Sequence, residues 1–366
     1  MIYLFSFLVL LCVGIVLFIN LNPVFGGSPS KEQKEFYKHY DNYVNERFVN
    51  ETQTSINMSL PNFLSMLKDS IIHIKDRNPV GKIPVSVVDW EKIKNEKNSL
   101  TWFGHSAFLL SIDNKKILID PMLTQIPSPV SFIGSRRYKY THEMLHIIEE
   151  MIPIDAVLIT HDHYDHLDYK SIVKLESKVS HFFVPLGVSP HLIRWGVPKD
   201  KITELNWWDE AEFKGLTIAS TPSKHFSGRG IFNRDTTLWG GLAVLGKATR
   251  VYISGDGGYE KHFKNIGDKY GPFNITLIEG SQYDRRWPWV HMKPEEAVQA
   301  HLDVKGKNML MHWGAFTLAF HSWKEPIERA IKKAKKSEVN LIVPQIGKTV
   351  SLDSELNIPF NAWWNF

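Results

Sequence analysis

The chain has a single cysteine, Cys12, in 366 residues. That excludes an intrachain disulfide framework and any zinc site built on thiolates. It also lacks an excess of charge of one sign. Lys and Arg number 43 and Asp and Glu 39, so the net charge is +4 and leaves no electrostatic footprint for nucleic acid. No internal repeat recurs at a fixed period, and no Walker or dinucleotide-binding glycine pattern is present. With 43% hydrophobic and 22% charged residues, disordered, collagen-like and low-complexity chains are excluded as well. The length suits one large α/β unit.

Charge is missing altogether from residues 1–30, which contain no Asp, Glu, Lys, Arg or His. Ile2 to Ile19 is an 18-residue apolar run broken only by Ser6, Cys12 and Gly14. Such a run just reaches across a bilayer core of about 30 Å. A secretory signal peptide would want a positive n-region and a shorter apolar core. A lipoprotein signal would want a small residue where Leu11 stands. The run has no polar face, which argues against a soluble helix, so a single-pass N-terminal membrane anchor is expected. Its orientation is open: Lys31, Lys34 and Lys38 favour a cytoplasmic C-terminal side, but Glu32 and Glu35 are interleaved. The expected organisation is an anchor over 1–21, a linker and helical extension without recognisable chemistry over 22–94, and a catalytic domain over 95–366.

Short apolar runs between turn signals predict consecutive strands at Leu100–Phe103, Ala107–Ile112 and Lys116–Asp120. Val157-Leu158-Ile159-Thr160 then leads into a polar cluster, with a helix-compatible stretch from Tyr169. Further strands are expected at Leu216–Ser220, Leu238–Leu245, Val251–Ser254, Ile275–Ile278, Met309–Met311 and Leu341–Val343. Proline and acids open a helix at Pro294-Glu295-Glu296-Ala297, and Lys324–Lys335 reads as an amphipathic helix. Strands predominate early and then alternate with helices, which favours a layered α/β sandwich over a barrel.

The sixteen histidines are what the chain has in abundance. Thr160-His161-Asp162-His163-Tyr164-Asp165-His166-Leu167-Asp168 follows a buried strand directly. On extended backbone His161 and His163 project to one side, while Asp165 and His166 sit where the chain turns. Such a loop offers imidazoles to one metal ion, and a carboxylate with an imidazole to a neighbouring one. A solvated polar loop would account for the charge but not for three histidines at that spacing. Two metals need further ligands, and His225, Asp256 and His312 each follow a predicted strand. Any one of them alone would be an ordinary strand cap.

In this order, His161-x-His163-x-Asp165-His166, His225, Asp256 and His312 resemble the metallo-β-lactamase-fold hydrolases. The segments Trp102-Phe103-Gly104-His105-Ser106, Gly255-Asp256-Gly257-Gly258-Tyr259, Pro294-Glu295-Glu296-Ala297 and His312-Trp313-Gly314 resemble the branch containing N-acylphosphatidylethanolamine-hydrolysing phospholipase D. The resemblance covers roughly 95–350 and implies a four-layer αββα sandwich with the metals at one edge of two sheets. It implies one metal on His161, His163 and His225, a second on Asp165, His166 and His312, and Asp256 bridging them. Asp162, where the branch often has Asn, is expected to point away from the pair. Thr221-Pro222-Ser223-Lys224-His225-Phe226 departs from the branch's Pro-Ala-x-His-Trp form but keeps the ligand.

Two divalent ions about 3.5–4 Å apart lower the pKa of a bridging water and supply hydroxide near neutral pH. Asp165 is expected to act catalytically as a proton relay. Imidazole and carboxylate ligands suit zinc and admit manganese or iron. The resemblance implies a substrate contact at His291, which matches a histidine the branch keeps near its active site. Arg286 is a second expected contact, with Trp287 beside it, because Arg suits bidentate recognition of a phosphate. His105 is expected to be a structural neighbour of the site, and Arg136-Arg137 a solvated turn. The expected activity is phosphodiester hydrolysis on an N-acylated glycerophospholipid or related lipid. A lactonase or other carboxylic-ester hydrolase is the alternative, and an inactive membrane-tethered binding protein is a further one.

Overall fold

The computed structural model describes residues 2–52, 54, 59–130, 132, 134–353 and 361–366. Helix α1 runs Ile2–Leu21, and its side chains from Tyr3 to Leu21 are almost all exposed. At 1.5 Å per residue its 20 residues span about 30 Å. It is long and apolar enough to cross a membrane, a test that an N-terminal signal sequence also passes. Its exit is fastened to the rest of the chain. Arg194 donates to the carbonyls of Asn20 and Gly26 at 2.6 and 2.5 Å, and the Trp195 indole donates to Pro23 at 2.6 Å. Gly26, at φ +76°, lies where any Cβ would collide with the His191 ring.

Residues 31–98 form short pieces: α2 (Lys31–Tyr37), the hairpin β1 (Tyr43–Val44) and β2 (Arg47–Phe48), α3 (Leu60–Ile71) and α4 (Trp90–Asn95). Tyr37, Tyr43 and Phe48 bury themselves with Leu186, Trp207, Leu238 and Trp239, so this extension shares a core with the domain behind it.

Beyond them come β3 (Ser99–Trp102), β4 (Phe108–Ile112), β5 (Lys115–Ile119), α5 (Ile147–Glu150), β6 (Ile154–Leu158), α6 (Tyr169–Leu175), β7 (Val179–Pro185), α7 (Ser189–Arg194) and β8 (Ile202–Leu205). The second half holds β9 (Glu210–Phe213), β10 (Leu216–Thr221), β11 (Gly241–Leu245), β12 (Arg250–Ile253), α8 (His262–Tyr270), β13 (Ile275–Glu279), α9 (Pro294–Val304), β14 (Asn308–Met311), α10 (Glu325–Lys336) and β15 (Thr349–Ser351). One sheet has the order β15-β3-β4-β5-β6-β7-β8 and the other β14-β13-β12-β11-β10-β9. Each is antiparallel at one end and parallel at the other, β5 through β8 and β12 through β14 being parallel. Strands such as Phe108–Ile112 and Ile275–Glu279 are buried on both faces, as strands enclosed between a second sheet and a helical layer must be. Helices cover the outer faces, α9 packing on β13 and β14 and touching α8 and α10. The result is the four-layer αββα sandwich.

Several boundaries differ from expectation. Leu238–Gly240 precedes β11 outside the ladder, and Leu341–Val343 forms no strand. Leu341, which makes an isolated bridge, and Val343 are partly buried against the core outside any strand, and that packing explains their apolar character. The strands β7, β8, β9 and β15 were not foreseen. In β9 the sequence Glu-Ala-Glu-Phe carries two acids on a sheet edge, where charge blunts unwanted pairing and also hides the strand.

Candidate metal centre

All seven expected ligands arrive at one end of the two sheets. His161, His163, Asp165 and His166 follow β6, His225 follows β10, Asp256 follows β12 and His312 follows β14. Parallel strands deliver their carboxyl ends to the same edge, the place where open α/β sheets bind ligands. The glycine loop after β12 fits this crowding: a Cβ at Gly257 would strike Ser223 Oγ.

Two clusters of donor atoms result. His161 Nε2 lies 2.9 Å from His163 Nδ1, and His225 Nε2 lies 3.2 Å from the same atom. The second cluster contains His105, Asp165, His166 and His312. Asp165 Oδ2 is 3.7 Å from both His166 Nε2 and His312 Nε2. Asp256 stands between the clusters, its Oδ2 at 3.1 Å from His166 Nε2, 3.9 Å from His161 Nε2 and 4.0 Å from His225 Nε2.

This donor set fits divalent cations. Imidazole nitrogens converge on one another with little exposure, and buried Asp256 Oδ1 makes no hydrogen bond among the described residues, with His312 Nδ1 3.2 Å away. Burial, reinforced by the neighbouring imidazoles, pushes His161, His225 and His312 well below the ordinary histidine range. Neutral rings present lone pairs, which is the ligating form. Burial alone would raise Asp256 and Asp165, yet the surrounding imidazoles, His166 first, hold both carboxyls well below their usual range. His166 is opposed by burial but raised by Asp256, Asp165 and Asp120.

A layer of supporting groups sets the tautomers. Fully buried Asp120, after β5, accepts from Thr160 N at 2.8 Å and Thr160 Oγ1 at 2.7 Å, and lies 2.8 Å from His166 Nδ1. The proton therefore sits on His166 Nδ1, leaving Nε2 for the centre. Thr160 Oγ1 lies 3.0 Å from His161 Nδ1, and the Val290 carbonyl 2.9 Å from His225 Nδ1, with the same effect. Asp120, His105 and His312 have φ of +38°, +56° and +70°. Such backbone costs of order 1–3 kcal/mol per residue and persists only where the surroundings enforce it. For His105 and His312 the enforcement is a bridge, His105 N donating to Trp313 O at 2.7 Å and His312 N to His105 O at 3.1 Å.

His291 reaches the centre: its ring centroid is 5.1 Å from His225 and 5.5 Å from His312, and Nδ1 is 2.9 Å from Glu279 Oε1. Burial drives Glu279 up to about 7, and its proximity raises His291 against the effect of burial. Arg286 does not present a free guanidinium. It is 1% exposed, bonded to Asp284 at 2.6 Å through both Nε and Nη2, and within 3.0 Å of Asp69. The anion it recognises is the protein's own carboxylate. Asp162 does point away from the pair, but into the interior, where it accepts from Gly228 N at 2.8 Å and faces His191 at 3.4 Å. Arg137 is no solvated turn, since it is buried on the Phe316 ring and donates to Met122, Thr124 and Phe103 carbonyls. His105 is a neighbour of the site as expected, 2.9 Å from Asp165 Oδ2. Asp120 and Glu279 escaped sequence reasoning. Asp120 directly follows an apolar strand and Glu279 ends one, and that position was the available signal.

A family model described as a beta-lactamase superfamily domain matches residues 115–313. An uncharacterized protein of Mycobacterium tuberculosis is 41% identical over 291 residues, 78% of this chain and 77% of the relative. The N-acyl-phosphatidylethanolamine-hydrolyzing phospholipase D 1 of Caenorhabditis elegans is 36% identical over 232 residues, 60% of this chain and 64% of that protein. Among solved structures, a metallo hydrolase of the archaeon Ignicoccus hospitalis matches with a TM-score of 0.52 at 26% identity, covering 69% of this chain and 97% of that one.

Proposed function

The chain belongs to the beta-lactamase superfamily and is a metal-dependent hydrolase, and from that premise we propose that it cleaves a phosphodiester of phospholipase D type in N-acyl phosphatidylethanolamine or a related lipid. The observation that carries the hydrolytic part is the convergence of seven His and Asp donors, five buried and two (His163 and Asp165) partly buried, in two clusters joined by Asp256. The lipid part rests on the 36% identity to the phospholipase D of Caenorhabditis elegans. It is supported by α1, read as a membrane anchor, and by exposed Ile231 and Phe232 on the His225 loop and Trp289 beside His291.

In this reading His161, His163 and His225 would hold one divalent ion and Asp165, His166 and His312 a second, with Asp256 placed between the two sets; the ligands suit zinc and admit manganese or iron. Ions bound there supply a water of lowered pKa and a positive field for developing negative charge. Asp165, steered by His105, takes up the proton released as water attacks phosphorus. His291, backed by Glu279 and open toward solvent, binds a phosphoryl oxygen. The bond from phosphorus to the N-acylethanolamine oxygen breaks, that oxygen receives the proton held on Asp165, and phosphatidic acid and N-acylethanolamine result. Purified full-length protein tested on lipid phosphodiesters and on lactones decides this. Phosphodiester turnover without lactone turnover is expected, and the reverse overturns the lipid reading.

A further inference from the structure

His225 lies in a 19-residue connection, 222–240, between β10 and β11, where no ladder pairs its peptide groups among the described residues. The residue is fully buried. Its N–H and C=O therefore need partners from elsewhere. Both come from one side chain. Asn50 Nδ2 donates to His225 O at 2.8 Å, and His225 N donates to Asn50 Oδ1 at 3.1 Å. Asn50 Oδ1 also accepts from Trp239 Nε1 at 3.2 Å, and that indole lies 3.0 Å from Ser223 O. One amide thus replaces the neighbouring strand that His225 lacks.

Asn50 is itself held by a strap, residues 47–52, that follows the same connection. Arg47 donates to the carbonyls of Phe232 and Arg234, and Phe48 N donates to Asp235 O at 2.8 Å. Thr52 Oγ1 donates to Glu260 at 2.9 Å, and the same Glu260 oxygen takes Lys224 Nζ at 2.9 Å. The ring of His225 is aimed separately, by Val290 O on Nδ1. Backbone and ring therefore have independent supports, one from the extension and one from the domain.

We propose that Asn50 is a positioning residue of the metal centre, fixing the backbone of His225 so that Nε2 meets His161 and His163, and that the strap over 47–52 is a structural part of that centre. This rests on the reading of His225 as a ligand. Only a side chain with both a donor and an acceptor serves both peptide groups; Ala offers neither, and Ser is too short to span both.

The test uses the full chain, purified as wild type, Asn50→Ala, Asn50→Ser and Tyr37→Phe, with zinc affinity measured by chelator competition and visible spectra recorded on the cobalt-loaded forms. Tyr37 ties the same extension to Glu204 at 2.9 Å without touching His225. Both Asn50 variants are expected to bind the ion of the His161, His163 and His225 cluster about 10–100-fold more weakly and to shift the cobalt bands, while Tyr37→Phe keeps wild-type affinity and spectrum. Folded Asn50 variants with wild-type affinity and bands would overturn the inference alone. An equal loss in Tyr37→Phe would overturn it too, since general loosening of the extension would then suffice. A wild-type chain that binds no divalent ion would overturn the metal reading itself, and this inference with it.

Discussion

His163 presents Nδ1 to both His161 and His225, so its loss opens one whole cluster. His163→Ala is predicted to lose that cluster's metal and to abolish hydrolysis, measurable by elemental analysis and turnover on the same preparation. Asp120→Asn is predicted to weaken metal binding or activity by about 10–100-fold, because it removes the carboxylate that fixes the His166 tautomer. A third prediction concerns pH. His301 is buried beside Thr276 and pushed down to about 4 by burial. The unfolded chain takes up a proton below about 6.5 that the folded chain refuses, so stability falls as pH drops from 6.5 toward 4. Between pH 7 and 5 this amounts to about 2 kcal/mol. Urea titrations of His301→Gln at both pH values should show a correspondingly smaller loss than wild type; an equal loss would remove His301 from the account. The ligands were legible in sequence because metal chemistry needs rare residue types at fixed spacings. Asp120, Glu279 and Asn50 were not, because each acts on a partner at least twelve positions away and looks like an ordinary polar residue in its own neighbourhood.

The elements fall into those that bury apolar surface and those that do not. Most apolar strands of the sandwich were readable from their runs, but β7 was not, because Ser180 and His181 interrupt its apolar run. The strands β8, β9 and β15 are edge strands whose existence depends on the neighbour each pairs with. The His225 connection is the least readable element, held by a strap far upstream instead of by a ladder. Helix α1 buries none of its membrane-length window. Removing residues 1–21 is therefore predicted to move the protein from the membrane fraction to the soluble fraction while melting temperature and metal content stay unchanged. A drop in metal content on that deletion would contradict the division between anchor and domain.

For the whole molecule, two sheets meeting at one edge bring His and Asp from residues 161 to 312 into one small volume. Little but a bound cation offsets so many buried donors, so metal and fold are linked. Chelation is predicted to lower the melting temperature, and zinc to restore it. The most direct measurement is the metal content of the purified full-length protein, set against its phosphodiester turnover before chelation, after chelation and after reloading. Two equivalents of divalent metal are predicted, with activity lost and regained in step with them; undiminished turnover in protein stripped of metal would contradict the account.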